Sequence, residues 1–315
     1  MLRRLEELDR LDLRNPDPEQ VLWPDGRSSR HDPRAWQPGP SRALGTDPWW
    51  RRHKRGSALL AVVVLAGGWF AAPHAGEWSS SLSSARVAAG EPHPPSSGSS
   101  SRQLPAVALT DIPRSDRFAF LATQDDSAAP VTFDPCRPIH YVVRDRAGVG
   151  PGGREVIDAA VSEVSRATGL RFVDDGSTDE APSKDRALYQ PQRYGERWAP
   201  VLIAWSDARE EPELEGNTAG LGGGLPVRDT HGRLTYVSGN VWLDTDALAP
   251  DLSTAGGARG VQAVVMHELA HVLGAAHVPS SRELMNAESS GQTSFGVGDR
   301  YALSVLGNGE CVPGL

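Results

Sequence analysis

Eleven residues, His267 to His277, read HELAHVLGAAH and hold three of the chain's nine histidines, with a carboxylate beside the first. On a helix, residues four apart share a face, so the imidazoles of His267 and His271 can converge on one point. Two such nitrogens are metal ligands in waiting. Glu268 is rotated about 100° from His267, too far to join the same coordination easily yet near enough to reach a metal-held water, which makes it a general base. Gly274 has no Cβ, so the chain can turn sharply there and bring His277 back as a third ligand. Three neutral nitrogens leave one tetrahedral position open, the arrangement of a catalytic rather than a structural zinc site. Zn²⁺ lowers the pKa of its bound water to about 7 and polarises a carbonyl, while an adjacent carboxylate accepts the water's proton. The chemistry expected is hydrolysis of a peptide amide with no covalent enzyme intermediate.

Other chemistries find less support. No G-x-S-x-G elbow offers a nucleophilic serine,. The run GLGGGLPV, Gly220 to Val227, lacks the G-K-[ST] ending of a phosphate loop and reads as an irregular loop beside the cleft,. TDEAPSKDR and DAREEPELEGN cluster carboxylates without a calcium-loop spacing, so calcium is unsupported and solvated acidic loops are expected,. His140, in PIHYVV, reads as a core or edge residue rather than a ligand.

The site must be positioned by a core, and the sequence outlines one. IHYVV (139–143), RFV, VLIAW (201–205) and the alternating YVSGNVWLD (236–244) read as strands,. Between the first two, Ile157, Val161, Val164 and Thr168 recur at helical spacing, and Gly169 closes that helix,. VQAVVMHELAHVLG is a long apolar helix after Gly260, ending at Gly274. DRYALSVLG is a last helix, with Asp299 as N-cap and Gly307 as its stop,. The class expected is α+β: a mixed, twisted sheet with an active-site helix and a C-terminal helix, over residues 106–315,.

Upstream the composition changes three times. Residues 1–50 are rich in Pro, Arg, Asp and Trp and read as a disordered leader, apart from Leu2, Leu5, Leu8 and Leu11, which could line a short helix for docking a partner or merely form a transient one,. Residues 51–73 join a basic cluster to an uncharged stretch, 56–72, whose length of about 26 Å approaches the ~30 Å hydrocarbon core. Trp49, Trp50 and Trp69 flank it, and the positive-inside rule keeps Arg51, Arg52 and Arg55 cytoplasmic,. A single-pass transmembrane helix is therefore expected, with the amino terminus in the cytoplasm and the domain outside. A cleaved signal peptide, which would make the protein secreted, is the rival. Residues 74–105, dominated by Ser, Pro and Gly, read as a flexible linker,.

Composition narrows the partners. A net charge of -8 argues against nucleic acid, which calls for a basic face,. Two cysteines without a CxxC pair exclude a zinc ribbon, leaving room for one disulfide,. The expected partners are a protein or peptide substrate and, through 56–72, a membrane; no feature points to an oligomeric state.

The string His267-Glu268-x-x-His271-x-x-Gly274-x-x-His277, followed by ELMNAES with Met285, resembles the metzincin zinc metallopeptidases, whose signature is H-E-x-x-H-x-x-G-x-x-H with a later methionine turn,. The opening strand, helix and strand, the GNVWLD strand and the closing helix look like the matrixin branch. The resemblance, covering about Cys136 to Leu315, implies a zincin-like domain with His267, His271 and His277 as zinc ligands, Glu268 as base and Met285 as the hydrophobic floor. It also implies that the strand before the active-site helix pairs with extended substrate, here through Gly239, Asn240 and Val241. The chain departs from matrixins in having no P-R-C-G-x-P-D switch, and with only His140 and His231 left over in the domain a second zinc is not expected. Cys136 and Cys311 stand at the two ends of the domain and, outside the cytoplasm, are expected to form a disulfide,. The function expected is a zinc endopeptidase. The alternatives are a zinc-bound cell-surface binding module without turnover and a zinc amidase acting on cell-envelope peptides.

Overall fold

The computed structural model describes residues 93–95, 101–229 and 231–315. The expected leader, the membrane span 56–72 and most of the linker lie outside the described residues. Among those described, no helix is long and apolar enough to cross a membrane.

Six strands form one sheet: β1 (Thr132–Phe133), β2 (Ile139–Arg144), β3 (Phe172–Ser177), β4 (Val201–Ser206), β5 (Gly220–Arg228) and β6 (Leu234–Asp244). The order is β1-β6-β4-β2-β3, with β5 along the other side of β6, and every pairing is parallel except β5 with β6. The class is thus a mixed α/β sheet, more parallel than the α+β reading implies. Three longer helices pack with the sheet, α1 (Pro151–Thr168) between β2 and β3, then α2 (Ala255–Leu273) and α3 (Val297–Gly307) after β6, and two four-residue helices span Pro191–Tyr194 and Thr245–Leu248.

Local chemistry explains these elements. Proline at the start of α1 lacks only an N–H that would be unsatisfied there anyway,. Val156, Ile157, Ala160, Val161 and Val164 then form its buried stripe, and Gly169, at φ 69°, ends it with a left-handed cap,. The Thr254 hydroxyl caps α2 by accepting from the Gly257 N–H at 3.0 Å,. From Val261 onward α2 is apolar nearly all round, because it lies between α1 and the sheet,. α3 begins three residues earlier than expected, at Val297 with Gly296 as N-cap, so Asp299 occupies its third position.

The two sheet faces are covered differently. Ile139, Tyr141, Val143, Ile203, Trp205, Val241 and Leu243 join the helices in the main core. The opposite face carries a small cluster of Val142, Leu202, Ala204 and Trp242, roofed by Leu214 and Tyr194 from two short helical turns, Pro212–Leu214 and Pro191–Tyr194. The loop that carries Tyr194 is fastened by a buried ion pair, Arg186 with Glu180 at 2.8 Å, and Arg186 also donates to Ser238 on β6 at 2.9 Å. His140 lies on this periphery, half-buried, beside Asp175 at 2.9 Å and Arg197 at 2.7 Å.

Arg102 donates to the Gly307 carbonyl at 2.8 Å, and Gln103 bonds to Pro135 and Cys136. Cys136 and Cys311 are joined in a disulfide, Cα to Cα 5.3 Å, closing the two ends of the domain across 175 residues.

Candidate metal centre

α2 carries His267, Glu268 and His271 on its last two turns and stops at Gly274, which adopts φ 107°. That left-handed conformation is costly for a side chain, and a Cβ there would also press on the Tyr236 ring at 3.0 Å,. The chain can therefore fold back beneath the helix, where Phe120 bridges Ala275, Leu121 N–H donates to the Gly274 carbonyl at 2.8 Å and Ala276 N–H donates to Ala119 at 2.9 Å. This fold-back carries His277 to the other two histidines.

The three Nε2 atoms form a nearly equilateral triangle: 3.0 Å from His267 to His277, 3.1 Å from His271 to His267 and 3.1 Å from His271 to His277. The far side of two rings settles what those atoms are. His267 Nδ1 lies 2.7 Å from the Leu284 carbonyl, and His271 Nδ1 lies 2.7 Å from the Ala275 carbonyl. A carbonyl oxygen only accepts, so each Nδ1 carries the hydrogen and each Nε2 presents a bare lone pair. Lone pairs aimed at one another at this distance repel unless a cation sits among them. Ligand nitrogens about 2.0–2.1 Å from a zinc ion stand at roughly such a separation from one another. The donor set therefore fits zinc. Backbone carbonyls orienting the ligand rings are the outer shell such a site needs.

Electrostatics agree. Burial, then the neighbouring His277, push His267 down to about 4. Burial also lowers His271 and His277. All three rings are thus neutral at pH 7, as a metal requires. Burial pushes the Glu268 carboxyl up to about 8; a cation among the histidines would pull it back toward ionisation.

Met285 is buried in the main core, at the turn whose preceding residue supplies the carbonyl for His267. Two buried carboxylates hold that turn. Asp299 accepts from the backbone N–H groups of Leu284, Met285 and Gly296. Glu283 reaches the other way, accepting from Gly298 at 2.8 Å and Asp299 at 3.1 Å at the start of α3, with Arg117 on its second oxygen at 3.2 Å. The sequence reading missed this exchange. A carboxylate just before the methionine and another at the start of α3 were its only traces.

The expected substrate strand is corrected. Gly239, Asn240 and Val241 are buried, and β6 has no free edge there: β4 pairs with it from Asn240 and β5 runs along its other side. From Asn240 to Asp244, β6 lies between two paired strands, so it offers no free edge to a peptide there. The run read as an irregular loop is instead β5, and among the described residues β5 is an edge strand of the sheet, beside β6. Asp244 N–H donates to the Ala219 carbonyl at 2.9 Å, opposite which Gly220 pairs with Leu243 in register. By antiparallel alternation Leu221 and Gly223 bond to β6, while Gly220, Gly222 and Gly224 turn their N–H and C=O groups outward. Among the described residues, no backbone bond reaches those outward groups. Glycine is depleted in strands, which hid β5; the period-two spacing of Gly220, Gly222 and Gly224 was the available sign of a strand lying close to another backbone.

No protein-family model matches the chain, and no curated protein matches it by sequence. Among solved structures it is similar to an archaemetzincin from Methanopyrus kandleri, at 17% identity and a TM-score of 0.30, over 50% of this chain and 87% of that one. It is also similar to metalloproteinase-II from Bacteroides fragilis, at 12% identity and a TM-score of 0.29, over 54% of this chain and 53% of that one, so the chain spans about half the length of that protein. Likenesses this remote assign neither family nor activity; the geometry of the site speaks for itself.

Proposed function

We propose that this chain is a zinc-dependent endopeptidase. The observation that carries the reading is the triangle of Nε2 atoms from His267, His271 and His277, with Glu268 on the same helix and a free strand edge lying along that helix. His267, His271 and His277 would hold the zinc. When bound, the metal supplies Lewis acidity toward a carbonyl oxygen and toward water.

The chain's own residues do the rest. The outward N–H and C=O groups of Gly220, Gly222 and Gly224 bind a peptide as an added antiparallel strand, which selects extended backbone with little regard for sequence. Glu268 takes a proton from the attacking water as the C–O bond forms, and returns it to the amide nitrogen as the C–N bond breaks. Met285 closes the site from the core side. In the same proposal, residues 56–72 anchor the chain in a membrane with the domain outside; resistance of the chain to carbonate extraction from membranes would support the anchor, and release would refute it.

The test is zinc content together with cleavage of a broad peptide library by the full chain, native and Glu268→Gln. One equivalent of zinc in both, with cleavage only by the native protein, is expected. Zinc in both with cleavage in neither would replace the peptidase by a binding module or by an amidase acting on an envelope peptide absent from the library.

A further inference from the structure

β5 lies against α2 at a distance only glycine allows. A Cβ at Gly222 would stand 2.2 Å from the Glu268 carbonyl oxygen, and one at Gly224 would stand 2.3 Å from that of Val272. The edge strand therefore rides directly on the helix backbone over one turn. Gly220, next in the same series, differs. Its Cβ would meet the side chain of Glu268, 3.0 Å from Cγ and 3.3 Å from Oε1, and the Trp242 carbonyl at 3.2 Å. Gly220 is not among the glycines with positive φ, so its backbone conformation does not itself demand glycine.

We propose that Gly220 is a positioning residue for Glu268: the space left by its missing side chain is where the Glu268 side chain rests, which holds the carboxylate beside the edge that carries the peptide. The proposal rests on the peptidase reading and adds the residue that aims its base. Glu268 is fixed at its root, because its own carbonyl is the floor beneath Gly222, and at its middle, because its Cγ fills the volume at Gly220. One strand thus sets both where the substrate backbone lies and where the proton acceptor stands. An added methyl at residue 220 would displace Cγ by a few tenths of an ångström. Because proton transfer requires the acceptor within hydrogen-bond reach, a shift of this size acts on turnover rather than on peptide binding.

The experiment is a double-mutant cycle on the zinc-loaded full chain, with Gly220→Ala placed in the native and in the Glu268→Ala background. In the native background we expect a fall in Tm of about 3 °C, a loss in kcat of about tenfold, an unchanged KM and one equivalent of zinc. In the Glu268→Ala background, where the obstructing Cγ is gone, the same substitution should leave Tm within about 1 °C. An equal fall in Tm in both backgrounds would trace the cost to the Trp242 carbonyl and overturn the proposal, as would failure to fold in both. A raised KM with kcat unchanged would also overturn it. If the native chain cleaves no peptide, the peptidase reading falls by itself, and the Tm cycle still decides whether Gly220 and Glu268 share that space.

Discussion

Glu268 and Glu180 are buried to nearly the same degree, 7% and 8% exposed, and their surroundings do opposite things to them. The Glu268 side chain rests against Gly220, and burial alone pushes its carboxyl up to about 8. Glu180 suffers burial as well, yet the Arg186 guanidinium, the Tyr194 hydroxyl and the Gln190 amide hold it below the ordinary carboxylate value. The second arrangement is a fastening: every oxygen is partnered and the loop it carries is pinned over the far face of the sheet. The first is a group kept responsive to whatever charge enters beside it. Burial by itself separates neither role; the partners do.

The largest effect expected from this contrast is on turnover. Glu268→Gln removes the proton acceptor and keeps the shape, so peptide hydrolysis should fall by about a thousandfold or more while zinc content and Tm hold. Assay of both on one preparation checks it; retained hydrolysis would end the role of Glu268 as base. Next, Glu180→Ala leaves the Arg186 charge buried without its partner and should cost about 3–5 kcal/mol in denaturant unfolding, with kcat of the folded fraction unchanged. A loss of kcat there would mean that the two glutamates are coupled through the sheet.

The pH dependence should show the same opposition. In the folded state Glu180 titrates below its unfolded value of about 4.5, so its contribution is present above that pH and is lost as the pH falls through the folded value,. In the metal-free protein burial raises the Glu268 carboxyl to about 8 against an unfolded 4.5, so the folded state holds the extra proton and the contribution of Glu268 to stability declines as the pH rises between those values,. Unfolding of the chelator-treated chain across pH, native against Glu268→Gln, should show the second slope vanish in the variant. The smallest effect is Ser238→Ala, which removes one bond from Arg186 and should cost about 1 kcal/mol with no change in activity,.

How much of this was legible beforehand varies with the kind of constraint. The three histidines whose Nε2 atoms converge sit within eleven residues because a helix and one tight turn can bring them together, so their convergence was legible from the spacing of His267, His271, Gly274 and His277. α1 was legible from Val161, Val164 and Gly169 for the same local reason. The edge of the sheet was not. Whether β6 or β5 is free depends on which strands flank it, and those come from residues scattered between 132 and 244. The rule that places substrate on the strand before the helix does not suit β6, which β4 and β5 flank from Asn240 onward. Asp299 was recognised as belonging to the start of α3, yet its bonds to Leu284 and Met285 join segments the sequence keeps apart.

By itself, then, the sequence determined the identity and order of the groups that can hold zinc and move a proton, since helical periodicity and the conformational freedom of Gly274 are properties of neighbouring residues. The tertiary structure alone decided which backbone edge stays unpaired among the described residues, which carbonyls face the imidazoles, and why Gly220, Gly222 and Gly224 lack side chains. Those are matters of contact between distant segments, and contact is created only when the sheet closes over α2.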